Sequence, residues 1–241
     1  EKIKSIVSEK IGYGLSEDFF LNIKLQEIAA SADICLDLHT GPIACEYIYS
    51  NSSQKNEVIN KFPFEFIIDI PEKFAGAMDE AFFMNYMHLN KILKELQKPT
   101  LNCSSYTVEL GSEDHISESL AENYKSKILS YLTQMGSFAP DIFPVYKFNN
   151  TKKYIQLEFF KTYYAPTAGH VEYIAKPGSF IKKGELLAKI YRPTFSCTAF
   201  NEENIFAKKD SWIINYQNSS TVHEGMELYQ VGENAEIISL E

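Results

Sequence analysis

Up to Gly136 the chain alternates short β-prone runs with amphipathic stretches at helical spacing, and beyond about residue 150 that helical spacing stops. This change of texture limits the available folds more than any other feature. Ser16 is a good N-cap, with Glu17 and Asp18 in the first turn and Leu21, Leu25 and Ile28 on one apolar face, which predicts a helix over roughly 17–31. A β-prone run at 33–39 follows, and another, FEFIIDI, covers 64–70. From Gly76 to about Lys98 the spacing is helical again, with Phe82, Tyr86, Leu89, Leu93 and Leu96 on one face and His88 read as a partly exposed helix residue. The run 104–109 leads to Ser112, read as the cap of a helix whose stripe is Ile116, Leu120, Tyr124, Ile128 and Leu132. Residues 1–12 read as helix-prone and 50–60 as a polar surface loop. Strands alternating with amphipathic helices predict a mainly parallel sheet in a three-layer α/β/α arrangement.

Pro140, Pro144, Asn149 and Asn150 mark a boundary, so the expected domains are 1–150 and 151–241. The second is all-β, beginning with a strand-like stretch from Tyr154 to Tyr164 and punctuated by Pro177-Gly178 and Lys183-Gly184. The segment TVHEGMEL at 221–228 echoes SFIKKGELL at 179–187, an internal quasi-repeat within that domain.

A net charge of −9, from 23 basic against 32 acidic residues, argues against nucleic acid as a partner, because that electrostatic footprint is basic. No apolar run is long enough to span a bilayer, so no membrane partner is expected. The four cysteines, Cys35, Cys45, Cys103 and Cys197, show no metal-type spacing and read as reduced thiols in a cytoplasmic protein.

The stretch DICLDLHTGP, 33–42, carries the chemistry: an apolar run ends in His39 and then in Thr40-Gly41-Pro42, a strand breaker. SSYTVE at 104–109 repeats the layout, with Glu109 followed by Leu110-Gly111. If the two strands are neighbours in a parallel sheet, both residues face the crevice outside the strand ends, where ligands bind in open α/β folds. Asp37, two residues before His39, shares its face by strand alternation, where a carboxylate either orients the imidazole from behind or caps a neighbouring backbone.

DLHTG followed by TVELG resembles the succinylglutamate desuccinylase/aspartoacylase family, within the zinc carboxypeptidase-like hydrolases. The resemblance implies that His39 is a zinc ligand and Glu109 the catalytic acid/base. It implies further that zinc-activated water attacks the amide of a small N-acyl amino acid. The partner is then a small-molecule substrate, with no organic cofactor and with room for a homo-oligomer. The segment APTAGHVEYIAKPGSFIKKGELLAKI resembles the barrel-sandwich hybrid of lipoyl- and biotinyl-type domains, which members of the family carry at the C-terminus. The family draws its other two zinc ligands from an HGxE motif upstream and a substrate arginine from between the motifs. Neither is found here, the sole arginine being Arg192, so the chain reads as a member lacking its N-terminal portion. His115-Ile116-Ser117-Glu118 has H-x-x-E spacing but follows TVELG, in what reads as the solvent-facing first turn of a helix. The alternative reading is a non-catalytic binding protein that keeps the fold without a complete metal site.

Overall fold

A computed structural model describes residues 16–29, 32–72, 78–146, 151–193 and 200–240. The helix read for residues 1–12, the start of the helix at Gly76, the two boundary asparagines and Cys197 lie outside the described residues.

The first half is built on a six-stranded sheet. In chain order its elements are α1 (Glu17–Ala29), β1 (Ile34–Gly41), the two-residue β2 (Ile43–Ala44), β3 (Glu46–Asn51) and α2 (Lys55–Lys61). Then come β4 (Phe66–Ile70), α3 (Met78–Glu95), β5 (Ser104–Ser112) and α4 (Glu118–Gln134). Two strands from beyond residue 150 complete it, β6 (Thr151–Gln156) and β15 (Glu236–Ser239), in the order β1-β5-β3-β4-β6-β15.

The pairs β1–β5, β3–β4 and β4–β6 are parallel, whereas β5–β3 and β6–β15 are antiparallel, so the sheet is mixed. The reversal follows from chain length. Only Pro42–Cys45 separates β1 from β3, far too few residues for the crossover that a parallel return needs.

One face of the sheet carries Ile48, Ile67, Tyr106, Val108 and Tyr154, packed with Val58 and Ile59 of α2 and Tyr131 of α4 in one buried cluster. The residues expected as a polar loop at 50–60 are thus the end of β3, a short 3-10 turn and α2. Val58, fully buried, shows why: two apolar residues in a polar segment suffice when they close a core.

Other boundaries also differ from expectation. α1 ends at Ala29 and packs on α3, burying Ile23, so Leu21 and Ile28 of the expected face stand exposed. α3 buries Phe83 and Met87 and leaves Leu96, just past its end, exposed, while His88 stands exposed on the helix as expected. Ser112 belongs to β5; the cap of α4 is Ser117, whose side chain accepts from the Leu120 N–H, and Ile116 lies outside the helix, almost fully exposed.

The stretch read as one strand from Tyr154 to Tyr164 divides at a 3-10 turn, Leu157–Phe159. β6 stays in the first sheet, and β7 (Phe160–Tyr164) enters the second half. That half has two further sheets. One orders β11 (Phe200–Phe206), β10 (Leu186–Pro193), β8 (Gly169–Tyr173) and β13 (Thr221–Val222). The other orders β2, β12 (Ser211–Tyr216), β14 (Glu227–Glu233) and β7, with β9 (Phe180–Ile181) added to β12. Both sheets feed one core that includes Val171, Leu187, Ile190, Ile213, Leu228, Tyr229 and Val231.

The quasi-repeat is visible in the hydrogen bonding. β9 and β10 flank a turn with Gly184 at φ +86°, and β13 and β14 flank one with Gly225 at φ +79°. The Gly184 N–H donates to Ala207 O and the Gly225 N–H to Ala165 O, so each repeat closes the same way in opposite sheets.

Strand pairing crosses residue 150 in both directions. β6 and β15 enter the first sheet, and β2, directly after His39-Thr40-Gly41-Pro42, pairs with β12. The seam is aromatic: Trp212 packs on Phe66 (5.7 Å between centroids) and Phe160 on Tyr47 and Tyr49 (6.4 and 6.3 Å). Gly232 on β14 lets the sheets close there, because a Cβ would run into Ile155 Cδ1.

Candidate active site

β1 and β5 are parallel neighbours with His39 opposite Glu109 and Asp37 opposite Thr107. β3 continues both rungs from the other side of β5, with Tyr47 opposite Glu109 and Tyr49 opposite Thr107. Register partners leave a sheet on the same face, and strands lie ~4.8 Å apart. His39, Glu109 and Tyr47 therefore form one row, and Asp37, Thr107 and Tyr49 the row beneath it.

Neither motif ends its strand where expected. β1 runs on through Thr40 and Gly41, and β5 through Ser112. The two extensions hold each other: Gly41 pairs with Ser112 after a register shift, and the Glu113 N–H donates to Gly41 O. Pro42 then stops the ladder. Gly111 is required for its backbone, at φ +87°, and a Cβ there would lie 2.9 Å from the Tyr124 hydroxyl.

His39 is half exposed, and its Nε2 faces Asp37 Oδ1 at 3.2 Å. Glu109 is largely shielded. Burial pushes its carboxyl above the usual carboxylate range, His39 pulls it down and Asp37 pushes it up again. An imidazole, a carboxylate behind it and a second carboxylate with a preference for its proton are thereby gathered on one face. Tyr47, which the sequence alone did not single out, is buried beside Glu109. Its hydroxyl is pushed up by burial and by the neighbouring Tyr49 and Glu109. The signal for it was alternation from Tyr47 to Tyr49, legible only once the pairing partner of β3 is known.

Glu118 is the first residue of α4 and His115 precedes the helix cap, and among the described residues neither belongs to a group of three or more metal-type side chains. The described cysteines Cys35, Cys45 and Cys103 are reduced; burial pushes Cys45 and Cys103 up to about 12, which removes them as thiolate nucleophiles. A cavity of about 860 Å³ lies at the other end of β1 and β5, lined by Ile34, Glu57, Phe83, Met87, Cys103 and Ser104. His39 and Glu109 do not line it, and Glu57 there is engaged by the hydroxyls of Tyr106 and Tyr131 at 2.8 and 2.9 Å.

A zinc site of the hydrolytic kind needs three protein donors. Among the described residues no three His, Cys, Asp or Glu side chains gather closely enough to hold a metal. His39 with Asp37 behind it fits one arm of such a site, and the described residues supply no second arm.

The structure is that of a mixed α/β protein with further β-sheets in its C-terminal half, and it gathers His39, Asp37 and Glu109 on adjacent parallel strands. No family model and no curated protein matches the chain. Solved structures do. A protein assigned to the succinylglutamate desuccinylase/aspartoacylase family from Shewanella amazonensis SB2B matches with a TM-score of 0.87 at 29% identity, over 98% of this chain and 65% of that one. A second, from Shewanella frigidimarina NCIMB 400, matches at 0.86 and 28% identity over 100% and 65%. The ectoine utilization protein EutE (DoeB) of Ruegeria pomeroyi shares the fold, with a TM-score of 0.64 at 16% identity over 91% of this chain and 66% of that chain. The resemblance carried by DLHTG and TVELG is thus one of structure over nearly the whole chain: its neighbours are succinylglutamate desuccinylase/aspartoacylase family proteins. The chain spans 65% of the length of the first two. Among the described residues no helix is long and apolar enough to cross a membrane.

Proposed function

We propose that this chain is the larger part of a zinc-dependent hydrolase that cleaves the amide bond of a small N-acyl amino acid or a related substrate. The observation that carries the reading is the register of His39 with Glu109 on adjacent parallel strands, on the face where Asp37 backs the imidazole. Names of the neighbours, succinylglutamate desuccinylase and aspartoacylase, support a deacylase-type hydrolase.

His39 would hold the metal as one ligand. Asp37 on Nε2 leaves Nδ1 for that bond and fixes the ring's orientation and tautomer. The remaining two donors would come from outside the described residues. Zinc, when bound, lowers the pKa of a coordinated water to ~7 and polarises the scissile carbonyl. Glu109 takes the water's proton on its carboxylate and returns it to the departing amine. A carboxyl held above its usual pKa by burial is better matched to both halves of that exchange than an exposed one.

The test is elemental analysis and turnover on N-acyl amino acids, run on the 241-residue chain and on the longer protein that contains it. Stoichiometric, chelator-resistant zinc and turnover in the longer protein, with weak or no zinc in the 241 residues, is the expected result. Tight stoichiometric zinc in the 241-residue chain contradicts the division of ligands. A longer protein that binds no metal and turns nothing over favours the non-catalytic reading.

A further inference from the structure

Tyr47 stands on the same rung as Glu109, on the side away from His39. Only 5% of it is exposed, a burial in which the β-domain takes part. Its ring meets Tyr49 edge-on at 5.4 Å and 75°, and Phe160 of β7 at 6.4 Å. Its hydroxyl neighbours both Tyr49 and Asn215 of β12. Asn215 is itself 2% exposed and sits opposite Ala44 in the β2–β12 ladder, immediately downstream of DLHTGP. Its Nδ2 donates to Gln230 Oε1 at 2.6 Å, and its Oδ1 is buried with no donor on it among the described residues. The Asn215 amide acts on the Tyr47 hydroxyl as a donor, favouring its ionised form against the burial that raises it, so the contact runs from the amide N–H to the phenol oxygen.

We propose that Tyr47 is a positioning residue for Glu109, a wall that confines the carboxylate to the His39 side of the row, and that the β-domain anchors this wall through Asn215. The inference rests on the hydrolase reading above for its catalytic consequence, but the anchor itself does not. In general-base chemistry the carboxylate must stay within hydrogen-bond reach of the proton it takes, and a carboxylate on a free rotor loses much of that advantage. Strand β5 fixes only the Cα of Glu109. On one side the imidazole attracts the carboxylate; on the other something must exclude it, and Tyr47 occupies that volume. The arrangement also gives the C-terminal domain a part in the site without a residue that touches substrate.

Two arms test this. In the 241-residue chain, urea unfolding of Tyr47→Phe, Asn215→Ala and the double variant makes a double-mutant cycle. A double-variant shift in midpoint clearly smaller than the sum of the single shifts is expected, and additive shifts overturn the anchor. That arm needs neither metal nor turnover, so it stands or falls separately from the hydrolase reading. In the longer, zinc-loaded protein, Tyr47→Ala is expected to lower kcat by about ten- to a hundredfold, with zinc content kept and KM within about twofold, and Tyr47→Phe to restore most of it. Tyr173→Phe, which removes a buried hydroxyl from β8, in the other sheet of the β-domain from Asn215, is the control and leaves kcat unchanged. Activity lost only in proportion to unfolded protein, or lost equally in the Tyr173 control, overturns the positioning role. Absence of turnover in the unsubstituted protein overturns the hydrolase reading and the positioning role with it, while the cycle still decides the anchor.

Discussion

His39 and Glu109 are Cα partners on adjacent parallel strands, β1 and β5, so two residues far apart in sequence leave the sheet side by side. Everything proposed for the site follows from that register. A slip of one residue would send one of them to the opposite face, into the cluster of Val108 and Tyr131.

Glu109→Gln keeps shape and hydrogen bonding but removes the basic oxygen. If Glu109 moves the proton, turnover of the longer protein falls by ~10²–10⁴ while zinc content and melting temperature hold. Steady-state kinetics beside elemental analysis and calorimetry check this. Unchanged turnover, or loss only in step with unfolding, removes Glu109 from the mechanism.

Asp37 holds Nε2 of His39 at 3.2 Å, so Asp37→Asn replaces a charged acceptor by a neutral one that must also be turned to accept. Zinc affinity of the longer protein is expected to drop by about 10- to 100-fold, the usual cost of losing a carboxylate behind a ligating histidine. Competition against a metal chelator reads it directly, and an affinity within about twofold of the parent refutes the orienting role.

The two motif glycines differ in what they tolerate. Gly111 is at φ +87° with the Tyr124 hydroxyl in the way of a Cβ, so Gly111→Ala costs about 1–2 kcal/mol of stability. Nothing lies within 4 Å of the place a Cβ on Gly41 would take, and its backbone is not left-handed, so Gly41→Ala stays within about 0.5 kcal/mol. Urea midpoints of the two variants should therefore separate.

Lys152 makes stability depend on pH. It is 1% exposed, donates to Phe62 O and Phe64 O at 2.7 Å each, and is pushed from 10.5 down to about 7, first by burial and then by the charge of Lys127, with Glu46 opposing. Between those two values the unfolded chain binds the proton and the folded chain does not. Its contribution therefore makes stability rise with pH from about 7 to about 10.5 and fall as pH drops back through that window, by an amount on the order of 5 kcal/mol at most. Subtracting the pH profile of Lys152→Met from that of the parent isolates this slope. A flat difference between about pH 7 and 10 would show that the amine keeps its proton inside the fold.

The candidate site was legible in the sequence as far as it is local. DLHTG and TVELG each place a candidate side chain near the end of a β-prone run, and strand alternation alone puts Asp37 on the face of His39. The glycine turns of the quasi-repeat were equally local, since a backbone at positive φ selects glycine whatever surrounds it. What depends on partners was not legible. Whether Lys55–Lys61 is loop or helix is decided by a core that only Val58 and Ile59 reach, and which residue caps α4 is decided by where β5 stops pairing. Sheet direction was settled by a four-residue link, Pro42–Cys45, too short to cross over. The row His39–Glu109–Tyr47, and the arrival of Asn215 beside it from a strand in another sheet, exist only through hydrogen-bond register between distant segments, which no periodicity within one segment encodes.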